Sequence, residues 1–126
     1  MPINSYKDLL VWQKGIELSK QVYILTEGFP KEEVYGLTSQ MRRAAVSISS
    51  NIAEGKSRGT RKDFVQFLRI SNGSVAELQT QIEIAKQLPK TCIFSYREME
   101  NALSEITKML SAMIRKLSLP KPTAES

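Results

Sequence analysis

Histidine is absent from the 126 residues, and cysteine occurs once, as Cys92. The first absence removes the commonest general base, the usual neutral metal ligand and the side chain that titrates near neutral pH. The second excludes an intramolecular disulfide and a Cys-rich zinc or iron–sulfur site. Long apolar runs are lacking too. The longest, Leu9 to Trp12, has four residues, against roughly 18 for a helix that spans a bilayer. The first ten residues contain Lys7 and Asp8 and no apolar core of signal-peptide length, so a cytoplasmic location without membrane contact is expected.

Catalytic patterns are equally thin. Glu17, Glu77 and Glu83 have no nucleophile or second carboxylate at a spacing that would make a site. Di-iron bundles need Glu-x-x-His, which a chain without histidine lacks. Gly55 to Gly59 has neither the spacing nor the Gly-Lys-Ser/Thr end of a phosphate cradle. Cys92 follows Pro89 and has no histidine to activate it. The expectation is a non-enzymatic protein with no catalytic residue, no metal, no cofactor and no small-molecule substrate.

What is present is the composition of one soluble domain, 41% hydrophobic and 25% charged. Three breaks punctuate it: Glu27 to Pro30, Gly55 to Gly59, and Leu88 to Lys90. Ser5 with Asp8, Thr60 with Asp63 and Ser95 with Glu98 have capping-box spacing. At about 100° per residue, Met99, Leu103, Ile106, Leu110, Met113 and Leu117 form one stripe. Phe64, Phe67, Leu68, Ser71, Val75, Leu78, Ile82 and Ala85 form a second, and Leu37, Met41, Ala44, Ile48 and Ile52 a third. No alternating strand pattern competes. The fold class is therefore all-α, an antiparallel up-and-down four-helix bundle over 1–117, with helices near 6–27, 37–55, 61–88 and 96–117. Residues 118–126, with Pro120 and Pro122, are expected to be a disordered tail.

The first helix is apolar on two sides. Leu9, Trp12, Ile16 and Tyr23 fall on one, and Val11, Leu18, Val22 and Leu25 roughly opposite. One side can face the core; Val11, Leu18, Val22 and Leu25 are assigned to an interface between copies, because a soluble monomer seldom exposes so large a patch. The alternative is that the bundle or the tail covers them. On the second helix Gln40, Arg43, Ser47, Asn51 and Glu54 make a polar stripe beside the apolar one, either a solvated face or a hydrogen-bonding seam. Gly73, beside Ser74, is expected to mark a close backbone approach. Gly15 has no account from sequence.

Charge is lopsided. The formal net charge is +5, and the window from Arg42 to Arg69 holds all of it: Arg42, Arg43, Lys56, Arg58, Arg61, Lys62 and Arg69 against Glu54 and Asp63. The densest part, Lys56 to Lys62, runs into a helix N-terminus whose N–H groups favour anions. No aromatic residue lies among the loop's cations, which points to phosphate contact and not to base stacking. Short basic clusters also serve solubility alone.

Asp8 to Lys14, Phe29 to Ile48 and Ser50 to Gly55, then Phe64, Phe67, Leu68, Gly73-Ser74, Glu77-Leu78 and Gln81, resemble the 23S rRNA intervening-sequence protein family of bacterial four-helix-bundle proteins. Ser49 stands where that family usually has proline and Gly15 where alanine is common, which questions a kink in the second helix and not the fold. The resemblance implies a ring-shaped homopentamer and no established enzymatic activity. Some genes of the family lie within insertions in large-subunit rRNA genes. A related fold serves as the accessory protein of diversity-generating retroelements, where a basic barrel binds nucleic acid and a reverse transcriptase.

Together these readings predict an oligomer that binds RNA or another nucleic acid through phosphates. Arg58, Arg61 and Lys62 come first, Lys56 next, and Arg42, Arg43 and Arg69 have intersubunit or intrahelix pairing as their alternative. The rival reading is a structural or adaptor protein that binds another protein.

Overall fold

The computed structural model describes residues 5–120, and the part of the expected tail beyond Pro120 lies outside them. A short 3-10 turn, Tyr6–Asp8, leads into α1 (Leu10–Thr26), and a second, Lys31–Glu33, precedes α2 (Leu37–Ser57); α3 (Arg61–Gln87) and α4 (Arg97–Ser118) complete the fold. Each helix packs on its chain neighbours, and α1 closes the square against α4.

The three stripes of α2 to α4 meet in one core. Met41, Ile48, Ile52, Leu68, Leu78, Ile82, Leu103, Ile106 and Leu110 are fully buried. Of the three capping boxes in the sequence, one caps an α-helix. Thr60 caps α3, its Oγ1 accepting from the Asp63 N–H at 3.1 Å. Ser5 caps the 3-10 turn and not α1, because Leu9 is extended (φ −78°, ψ 124°). The Ser95 capping box does not form. Tyr96 is the N-cap, pinned by its hydroxyl, which donates to the Thr91 carbonyl at 2.7 Å, so α4 starts one residue later than expected. Ser118, expected in the tail, is the last residue of α4.

The assignment of α1 is corrected. Val11, Leu18 and Val22 are 2% exposed or less within a single chain, and Leu25 is half-buried against the same core. They are core residues, not an exposed interface, and polar replacements there would unfold the subunit before separating copies. Ile16 and Tyr23, placed on the core side, are 38% and 43% exposed. The cause is the choice of residues that define the stripe. Leu9 is outside the helix, and the core face includes Gly15 and Thr26, both buried, which an apolar count passes over. With Gly15 and Thr26 counted, the core face and the Trp12–Ile16–Tyr23 stripe are centred roughly 110° apart on a helical wheel, not opposite.

Gly15 now has its reason. A methyl there would overlap the Ser49 Oγ of α2, so α1 and α2 cross closely at this pair. The two departures from the resembled family's pattern are thus one contact, and α2 runs unbroken through Ser49. Gly73 is corrected as well: among the described residues nothing lies within 4 Å of where its Cβ would be, whereas its neighbour Ser74 is buried and shares a 2.8 Å hydrogen bond with Ser47. Asn51 Nδ2 donates to the Ser47 carbonyl at 2.8 Å. Of the five residues of the polar stripe of α2, Ser47 bonds to α3 and Asn51 buttresses it from one turn on, while Gln40, Arg43 and Glu54 face solvent.

Candidate nucleic-acid interface

The link between α2 and α3 is three residues long because two glycines permit it. Gly55 lies beneath α3, where an added Cβ would come within 2.6 Å of the Phe67 Cβ. That contact lets α2 continue to Ser57, two residues beyond the expected end. Gly59 then reverses the chain with φ +86°, a left-handed conformation that side chains resist. The result is a tight basic turn mounted on two rigid helices.

Within it, Lys56 Nζ sits 5.8 Å from the Phe64 ring centroid and the Arg58 guanidinium 5.0 Å from that of Phe67. Arg58 Nε also donates to Glu54 Oε2 at 2.9 Å, one turn back. The aromatics that sequence proximity had not supplied are present, half-buried, and hold cations in place. Arg61 and Lys62 are exposed. Arg61 Nη1 donates to the Leu119 carbonyl at 3.4 Å, and both cations border a groove floored by Val65 and Leu117. The Asp63 N–H is already engaged by Thr60, so the helix N-terminus has one fewer free donor for an anion than the sequence implies.

Antiparallel packing adds residues that the sequence window had missed. The end of α4 lies against the start of α3, as Arg61 and Leu119 show, and brings exposed Arg115 and Lys116 of its last turn to the same end. Lys56, Arg58, Arg61, Lys62, Arg115 and Lys116 thus crowd one end of the bundle, with Glu54 and Asp63 as the acids of the turn. The signal was available in principle, since up-and-down topology puts the last turn of helix four beside the first turn of helix three.

The other three cations stand apart. Arg42 is committed to structure: Nε donates to Thr26 Oγ1 at 2.8 Å, Nη2 to the Tyr23 carbonyl at 3.3 Å, and the guanidinium covers the Tyr23 ring at 4.5 Å. It ties the end of α1 to α2, in keeping with favourable placement of a cation at a helix C-terminus. Arg43 is exposed and lies 15 residues before Arg58, roughly 22 Å along α2. Arg69 is exposed roughly 12 Å along α3 from Arg61. The seven cations form one cluster of four and three separate positions.

A second surface runs along the shaft. Tyr6, Trp12, Ile16 and Tyr23 face Val46 and Ala53 across an open groove between α1 and α2. Among the described residues no three His, Cys, Asp or Glu side chains converge as a metal site, and no helix is long and apolar enough to cross a membrane.

The family model described as 23S rRNA-intervening sequence protein matches residues 7–112. The chain is also similar to a solved structure of a protein with unknown function from the S23 ribosomal protein family of Bacteroides thetaiotaomicron. They share 23% identity and a TM-score of 0.73, over 84% of this chain and 99% of that one. At that identity the likeness is one of fold. Among curated proteins none matches.

Proposed function

From the premise that this chain belongs to the 23S rRNA-intervening sequence protein family, we propose a non-enzymatic, cytoplasmic protein that binds RNA phosphates with the basic end of its bundle and works as a ring-shaped homopentamer. One observation carries the binding: four cations of a single tight turn and two from the last turn of α4 share one end of the molecule, two of the six resting on aromatic rings. Cations held by rings and by short links lose less freedom when they meet a phosphate than cations on a loose loop. Self-association rests on the Trp12–Ile16–Tyr23–Val46 groove, which replaces the four residues assigned from sequence. Copies joined along this shaft would point several basic ends at one strand, and linked weak contacts become a strong one.

Titration with RNA at 50 and 200 mM salt tests the binding. Affinity should fall steeply across that range, as counterion release requires. A salt-independent affinity, or no binding at 50 mM, would overturn it. Native mass measurement tests assembly, and a monomer at micromolar concentration would remove the ring. The adaptor reading has one observation in its favour: the opposite end exposes Tyr35 (96%) and Ile93 (78%). Protein capture that survives charge reversal at the basic end and is lost with Tyr35→Ser would favour it.

A further inference from the structure

A second concave site lies away from the basic end, where the last turn of α1, the following loop and the first turns of α2 enclose an open cavity of about 620 Å³, a size suited to a small ligand. Its charged lining is Lys31, Arg42 and Arg43 against Glu27. Neither Lys31 nor Arg43 has a carboxylate within 4.0 Å among the described residues. Arg42 is held rigidly by Thr26 and Tyr23 and needs no rearrangement to present its remaining N–H groups. Deeper in the wall, Thr38 is 7% exposed and its hydroxyl finds no hydrogen-bond partner among the described residues. Buried hydroxyls are nearly always partnered, and Thr38 lines the cavity, so a rotation about its χ1 would offer the hydroxyl to a polar group held there. The rest of the wall mixes apolar Phe29, Val34, Val46 and the half-exposed ring of Tyr23 with Thr26 and Ser39.

We propose that this cavity binds a phosphomonoester carried on a body with a flat aromatic face, the chemistry of a nucleoside monophosphate or of the 5′-phosphorylated end of an RNA strand. The net of two positive charges matches a dianionic phosphate. Arginine pairs suit its several oxygens, because each guanidinium offers a fork of donors. Phe29 and Val34, which line this cavity and not the groove along the shaft, give the body an apolar seat. Glu27 sits at the same lining and disfavours ligands that are more anionic still. The site is separate from the basic end and stands or falls without it.

Calorimetric titration of the full chain with adenosine 5′-monophosphate at 150 mM salt, with adenosine and inorganic phosphate as controls, tests the site. The nucleotide should bind at least about tenfold more tightly than either control, with the Thr38 and Arg43 amides shifting in the ¹H–¹⁵N spectrum. The exposed pair Lys31→Glu and Arg43→Glu should weaken binding by about tenfold or more, and Glu27→Gln should tighten it about twofold. Arg61→Glu with Lys62→Glu, at the other end, should leave it unchanged. A decamer RNA with a 5′-phosphate, compared with its 5′-hydroxyl form, distinguishes the sources: preference for the phosphorylated strand without nucleotide binding assigns the site to RNA ends. The proposal is overturned if nucleotide and adenosine bind alike and the two decamers do as well. It is equally overturned if Arg61→Glu with Lys62→Glu abolishes binding while Lys31→Glu with Arg43→Glu does not.

Discussion

The two ends of the bundle are built on different terms. At the end where α3 turns into α4, charges are paired and the loop is pinned from inside. Lys90 meets Glu32 across the two loops, and Lys86 meets Glu100, each at 2.5 Å. Thr91 Oγ1 donates to the Ala85 carbonyl at 2.6 Å, Tyr96 closes on Thr91, and the Phe29 and Phe94 rings pack at 5.3 Å. Among the described residues the basic end has one ion pair, Arg58 with Glu54, and the turn is stiffened by glycines and ring contacts. At the first end Lys86 and Lys90 are held in ion pairs, and Lys31 and Arg43 stand apart beside the α1–α2 cavity, whereas among the described residues the cations of the basic turn sit together with Arg58 alone paired. That difference locates the proposed phosphate contacts better than net charge does.

Equal charge changes at the two ends should therefore have unequal results, and this is the largest effect expected. Arg58→Glu, Arg61→Glu and Lys62→Glu together should reduce the slope of log affinity for single-stranded RNA against log salt by about 2, since each lost phosphate contact removes about 0.7. Lys86→Glu with Lys90→Glu should leave that slope within experimental error. If both sets weaken RNA binding equally, the ends are not distinct and only overall charge matters.

Much of this was legible in the sequence, and the failures are instructive. Stripes on α2, α3 and α4 are single and wide, so periodicity alone put Ile48, Leu78 and Ile106 in the core, where they are fully buried. On α1 two apolar stripes compete, and the choice depends on small residues, Gly15 and Thr26, whose burial is decided by what crosses them. A hydrophobic count cannot see that. Charge shows the same division. The Lys56–Lys62 cluster is local and readable, but Arg115 and Lys116 join it only through the antiparallel return of α4. Arg42 looked like its neighbours until the α1–α2 pairing brought Thr26 to its Nε.

Between the ends, the Gly15–Ser49 crossing offers a smaller and sharper test of how rigidly the shaft joins them. Gly15→Ala gains helix propensity of about 1 kcal/mol but forces an overlap costing about 1–3 kcal/mol. Net destabilisation is expected in urea melts. Ser49→Ala removes the overlapping Oγ, which is itself buried without a partner, so the double variant should be at least as stable as the parent. Additive effects would show that the helices slide apart freely. At the basic end, Gly59→Ala should cost about 1 kcal/mol through its left-handed φ. Affinity for RNA should change little, because among the described residues nothing lies within 4 Å of the new methyl.

Tyr96→Phe probes the pinned end with the smallest change. The phenol is buried, 3% exposed, and its hydroxyl donates to the Thr91 carbonyl. Burial pushes its pKa up to about 12 from an ordinary 10, with the Thr91 side-chain hydroxyl, and not the carbonyl it donates to, partly opposing and nearby Cys92 adding to the rise. Since the folded state favours the protonated phenol, Tyr96 contributes fully below pH 10, and its contribution is lost as pH rises from about 10 to about 12. Phenylalanine removes one hydrogen bond and should cost about 1 kcal/mol at neutral pH. It should also abolish the part of the alkaline stability loss that belongs to this residue. Lys86 and Lys90, held above the usual ammonium range by their hydrogen bonds to Glu100 and Glu32, titrate in both proteins and cancel from the difference. The parent and Tyr96→Phe melting curves should therefore converge between pH 10 and 12. A gap that stays constant through that window would mean that the Tyr96 hydroxyl is in contact with water, and that the loop end is less tightly closed than its hydrogen bonds imply.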